Sequence, residues 1–257
     1  IINSIPWITP LFICFLGGIT FFFDKTWNII GPGPFFIMMV SSMGGTQTFQ
    51  GFLQTETVSA YLFSGIVIAV IAALLAELLL QITHATFISE QSKYATRFND
   101  NFFFDIILLL SISYAIAIFL AFYIGKNLHL FNYYWVVVAC SAVLKAENFT
   151  HAIKRHRQYI LGAVVGCALA FIFISLPMTL AESLVIILFL NTLIYWQINK
   201  NYLIGNFFTT PLALLLFKLI IPRLTGTALF DRLISVIIGT TLGLLISYAT
   251  EKIFQHS

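Results

Sequence analysis

The sequence predicts an all-α, polytopic transmembrane helical bundle of about nine apolar segments, and three observations predict it. The 257-residue chain is 60% hydrophobic and only 9% charged, against roughly 25% charged residues in a soluble domain. Its mean hydropathy is +0.96. Its apolar runs are long and uncharged, and a membrane helix needs about 20 such residues. The runs are continuous rather than alternating, which excludes a β-barrel.

The first run covers about 5–23 and ends in "DKTWNIIGPGP". The second is short, 34–46. The third, 57–80, carries Glu77. A polar stretch at 81–102, with Glu90, Lys93, Arg97 and Asp100, reads as a cytoplasmic linker. Six runs follow at about 103–124, 132–145, 158–177, 180–197, 203–221 and 231–249. The domain reading is therefore a three-helix unit at 1–80, the linker, a six-helix membrane domain at 103–250 and a cytoplasmic tail at 251–257. The chain begins at Ile1 with no basic region and no small-residue cleavage site. The first three runs repeat a long, short, long order, which predicts about three more helices upstream and a six-plus-six body.

Lysine and arginine placement sets the orientation. With the loop at 146–157 in the cytoplasm, Lys25, Lys93, Arg97, Lys145, Lys154, Arg155, Arg157, Lys200 and Lys252 fall inside. Only Lys126, Arg223 and Arg232 fall outside, so the C-terminus is cytoplasmic.

The last six runs contain a repeat. Arg155, Gly162 and Gly166 have the spacing R-x6-G-x3-G, and Arg232, Gly239 and Gly243 repeat it 77 residues later. The same offset carries 103–124 onto 180–201 and 132–145 onto 209–222. Three helices per copy predicts a 3+3 inverted repeat, as in many secondary transporters. The glycines read as packing residues, since small residues let helix backbones approach closely in lipid.

"YYWVVVACSAVLKAENFTHAIKRHRQYILGAVVGCALAFIFI" (133–174) resembles the fusaric acid resistance family, which overlaps the aromatic acid exporters. Tyr134, Trp135, Arg155, Arg157, Gly162 and Gly166 carry the likeness, and "DRLISVIIGTTLG" (231–243) resembles the family's closing helix. "GPGPFFIMMVSSMGG" (31–45) resembles a Pro-Gly helix of its N-terminal half. The resemblance implies a multi-pass protein of the bacterial inner membrane that exports small, aromatic or other, organic anions. It also implies distant kinship to plant malate channels. The short linker and the short tail depart from exporters that carry large soluble domains.

Lys145, Arg155, Lys218 and Arg232 are the candidate cations for an anionic substrate, and Tyr134 and Trp135 are candidates for stacking on it. Two readings stand beside these. Lys218 in "LALLLFKLIIPRL" can snorkel toward the interface, and Tyr134 with Trp135 can form an interfacial aromatic belt. Glu77 is the candidate proton-coupling carboxylate, or else an interfacial acid. Pro32, Pro34 and Pro211 are candidate helix breaks, where freed backbone groups could face a ligand. Cys14, Cys140 and Cys167 lie in apolar runs, and the five histidines show no metal spacing. Phosphate-binding and nucleophile motifs are missing from the sequence, so no cofactor and no enzymatic activity is expected. The expected partners are the lipid bilayer, a small organic anion, and either a second copy or a periplasmic adaptor subunit, with no nucleic acid. The function predicted is proton-coupled alternating access. The competing functions are an organic-anion channel and a non-transporting membrane scaffold or accessory subunit.

Overall fold

The computed structural model describes residues 8–26, 37–39, 41–42, 71, 75, 100–130, 132–146, 148–197, 200–220 and 227–256. Seven helices lie among them: α1 (Ile8–Thr26), α2 (Asp100–Asn127), α3 (Tyr134–Leu144), α4 (Phe149–Ser175), α5 (Leu180–Gln197), α6 (Tyr202–Ile220) and α7 (Thr227–His256). The runs at 34–46 and 57–80, the linker, Glu77, Pro32 and Pro34 lie wholly or mostly outside the described residues.

The helix starts are written in polar side chains. The Asn148 carboxamide oxygen accepts the His151 N–H at 2.8 Å, and that of Asn201 accepts the Leu203 N–H at 3.1 Å. Thr179 and Glu182 form a reciprocal box at the head of α5: Glu182 accepts the Thr179 N–H at 2.7 Å, and the Thr179 hydroxyl accepts the Glu182 N–H at 3.3 Å. Each satisfies amides that the first helical turn leaves unpaired.

Among the described residues, five helices are long and apolar enough to cross a membrane: α2, α4, α5, α6 and α7. Their outward side chains are large and greasy. Leu180, Val185 and Phe189 on α5 are 61–66% exposed, and Phe230 on α7 is 69% exposed. Water would penalise such a surface, and lipid does not. The protein is a polytopic helical membrane bundle. The short α3 is different. Eleven residues rise roughly 16 Å, about half a bilayer, and every residue from Tyr134 to Val143 is buried. A helix apolar all round belongs inside protein.

The chain forms two compact units. Among the described residues, unit 1 holds α1, α2, α3, residues 149–157 of α4 and residues 234–256 of α7. Its core includes Ile13, Phe21, Tyr114, Ile118, Phe122, Val137 and Cys140. Unit 2 holds residues 158–175 of α4, α5, α6 and residues 227–233 of α7. Ile187 and Leu190 of α5 pack there on Leu215 of α6.

Both units use one packing device. In unit 1, Gly239 of α7 meets the Val136 carbonyl, Ala139 and Cys140, and Gly243 meets the Cys140 carbonyl and Val143. In unit 2, Gly162 of α4 meets the Leu203 carbonyl and Asn206, and Gly166 meets the Phe207 carbonyl and Thr210. The partners correspond one to one, Val136 to Leu203, Ala139 to Asn206, Cys140 to Phe207 and Val143 to Thr210. That is an offset of 67, not the 77 expected for this helix. The glycine helices keep 77 because their small residues mark the register, whereas their partners offer backbone carbonyls that any residue supplies. Each unit therefore joins the first two helices of one copy to the glycine helix of the other.

Pro211 lies inside α6, and the helix runs through it uninterrupted from Tyr202 to Ile220. The proline takes away the N–H that the Phe207 carbonyl would accept. Gly166 lies against that carbonyl, where a Cβ would be only 2.7 Å away.

Candidate functional site

A polar cluster sits at one end of unit 1, built by four helices. Asp24 lies one residue past the first apolar run, near the end of α1. One turn earlier, Phe21 stacks on Tyr114 of α2, with ring centroids 4.5 Å apart and an 18° interplanar angle. The Tyr114 hydroxyl shares a 2.7 Å hydrogen bond with the Ser141 hydroxyl of α3. Lys145 follows the last residue of α3, and its N–H bonds the Ser141 carbonyl at 3.2 Å. Arg155 of α4 donates from its guanidinium to the Ala142 carbonyl at 3.3 Å. A carbonyl near the end of a helix is a natural seat for a cation.

Two of the cations act on Asp24. Its side chain is buried, and Oδ1 has no hydrogen-bond partner among the described residues. Burial pushes its carboxyl above the usual carboxylate range, while Lys145 and then Lys25 pull it back down. Lys145 also feels the repulsion of Arg155 and Lys25. The Asp24 charge reaches Tyr114 as well.

The end of α7 meets the same region. Glu251 accepts the Phe149 N–H at 2.8 Å at the head of α4, and Phe149 packs on Tyr248 at 5.3 Å. Lys252 lies 5.9 Å from the Tyr248 ring. Lys25, Lys145, Arg155 and Lys252 thus collect at one end of unit 1. Lys126 is at the other, where the last turn of α2 meets Tyr133 at the head of α3.

Of the cations singled out in the sequence, Lys145 and Arg155 come together, while Lys218 and Arg232 belong to unit 2. The Lys218 ammonium donates to the carbonyls of Ile174 at 2.8 Å, Leu176 at 2.9 Å and Phe173 at 3.4 Å, at the C-terminal end of α4. Arg232 is 3% exposed and acts electrostatically on the Cys167 thiol. Tyr134 and Trp135 are buried with their rings 5.5 Å apart, near the start of α3 and away from Lys145.

Asp24, Tyr114 and Ser141 were not singled out in the sequence. Asp24 follows directly on the first apolar run. Only the docking of α1 against α2, which itself packs on α3, reveals its surroundings. The adjacent "DK" pair at the end of a run is the one local signal.

Unit 2 has a polar seam on α6. Asn206 donates to the Tyr159 carbonyl at 3.0 Å, and the Thr209 hydroxyl donates to Asn206 at 2.7 and 2.9 Å. The first of these joins α6 to α4, as interhelical hydrogen bonds do in lipid, and the Thr209 contacts stay within α6. A groove of about 380 Å³ also lies in unit 2, lined by Cys167, Ala168, Phe171, Leu229, Phe230 and Leu233. Among the described residues its lining carries no charged group to orient an anion.

Replacing Tyr114 by Phe removes one buried hydrogen bond and leaves Ser141 without it. The expected loss is about 1–2 kcal/mol, read as a lower thermal midpoint in detergent, with Ser141→Ala adding little on top.

Among families of known proteins, the one described as fusaric acid resistance protein-like has a model that matches residues 116–246, about half of the chain. No curated protein and no solved structure matches it.

Proposed function

The chain belongs to the fusaric acid resistance protein-like family, and we propose that it moves small organic anions, aromatic acids among them, out of a bacterial cytoplasm. The proposed route is alternating access across the inner membrane, with proton movement linked to that of the anion. One observation carries this reading: Lys145 and Lys25 act on the buried Asp24 carboxylate and Arg155 acts in turn on Lys145, at the end of an apolar membrane unit. Clustered charge is expensive there and is normally kept for function. The excess is positive, which suits an anion.

The same cluster supports the orientation. Lys25, Lys145, Arg155 and Lys252 share one end of unit 1, and a preponderance of Lys and Arg marks the cytoplasmic side. The organic anion would then load from the cytoplasm.

The test uses the full-length protein in liposomes with radiolabelled benzenesulfonate, an aromatic anion that stays ionised. Lys145→Gln is expected to weaken its binding about tenfold, the effect of about 1.4 kcal/mol of lost charge attraction. Unchanged affinity would remove the cluster from the function. Unitary currents in a planar bilayer would assign a channel instead of a carrier, and no flux from the wild type would favour the scaffold.

A further inference from the structure

We infer that Asp24 links a proton to the organic anion: ionised, its carboxylate holds Lys145 and Lys25 for itself, and protonated, it releases them to the anion. This rests on the organic-anion reading above.

The geometry supports it in three ways. First, Asp24 is only 8% exposed, and its Oδ1 has no hydrogen-bond partner among the described residues. A buried carboxylate oxygen without a donor is costly. A protonated carboxyl loses the charge and gains a donor of its own. Second, among the described residues, groups from several helices act on it or feel it: Lys25 on α1, Tyr114 on α2 and Lys145 after α3, with Arg155 of α4 acting on Lys145. Third, the charge balance changes sign in no state but grows in one. With Asp24 ionised the three cations carry an excess of two positive charges, and with Asp24 protonated they carry three.

The proton adds to a carboxylate oxygen and no other bond changes. An anion then meets a more positive site, so protonation tightens anion binding. By reciprocity the anion also tightens proton binding. Acidification should therefore raise the affinity for the anion and a rising pH should lower it.

The experiment measures benzenesulfonate affinity against pH for the full-length protein and for two variants. In the wild type the affinity should rise on the order of tenfold on acidification, within the range usual for coupled sites. Asp24→Asn should bind tightly at every pH, with that slope gone, and Asp24→Glu should keep a slope. His151 and His156 of α4 are present in all three proteins, so the difference belongs to residue 24. A slope that survives in Asp24→Asn, or a flat wild type, would overturn the proposal while leaving the organic-anion reading standing. Infrared difference spectra on acidification read Asp24 with no anion present. A protonated-carboxyl C=O band present in the wild type and missing from Asp24→Asn is the expected result. A spectrum indifferent to the substitution overturns the proposal even where benzenesulfonate does not bind.

Discussion

Gly239→Ala should destabilise the protein more than any other single methyl group added to the four glycines of the α3–α7 and α4–α6 contacts. The new Cβ would overlap the Val136 carbonyl oxygen, lie 2.8 Å from the Ala139 Cβ and 3.1 Å from the Cys140 nitrogen. Two of these three are backbone atoms of a helix buried on all sides, so α3 cannot yield by turning a side chain. Overpacking ordinarily costs about 1–3 kcal/mol, and this site should stand at or above the upper end. Parting the helices also sacrifices contacts between glycine Cα–H groups and carbonyls, each worth about 0.5–1 kcal/mol. Gly162→Ala is the comparator. Its Cβ would lie 2.8 Å from the Asn206 amide nitrogen, the movable end of a side chain. Turning Asn206 aside costs its bond to the Tyr159 carbonyl, about 1 kcal/mol. The check is the thermal midpoint in detergent by fluorescence-detected gel filtration, at one heating rate because membrane proteins unfold irreversibly. A loss of about 3 kcal/mol corresponds to a fall of roughly 6–12 °C. Equal falls for the two variants would mean that α7 does not lie against the α3 backbone.

These glycines show what the sequence could and could not reveal. Their spacing was legible because only a residue without a side chain permits such an approach, and chemistry of that kind leaves a signature. The surfaces they pack on leave none. Val136, Cys140, Leu203 and Phe207 contribute carbonyl oxygens, and a carbonyl is the same on every residue. The helix pairing and its offset of 67 were therefore hidden, although the membrane class and the glycine repeat were plain. The polar cluster was half legible for a related reason. Lys145 and Arg155 stand ten residues apart in sequence, and both were among the four candidate cations. Asp24 is more than a hundred residues away in sequence, and nothing local ties an acid at the end of one helix to a lysine at the end of another. Apolar runs specify which segments cross the bilayer, but they are too uniform to specify which faces meet.

Lys218→Met should cost stability while leaving the affinity for benzenesulfonate and its pH dependence intact. An ammonium has three N–H donors and no acceptor, and here three carbonyls at the C-terminal end of α4 receive them. The last carbonyls of a helix have no partner within it, and they form the negative end of its dipole. Lys218 answers both needs from α6 and ties the two helices together. Methionine keeps the length and apolar stem but leaves those carbonyls without their donor, at an expected loss of about 2–3 kcal/mol for charge-assisted bonds of this kind. Lys218→Arg is the discriminating variant. A snorkelling cation needs only length and charge, so arginine would replace it fully and methionine would do little harm. A cap on three converging carbonyls needs a compact donor, and the planar guanidinium spreads its N–H groups in a fork. Arginine should therefore restore only part of the lost midpoint. A methionine variant as stable as the wild type would show that the bonds to α4 contribute nothing, and a methionine variant with altered anion affinity would return Lys218 to the substrate path.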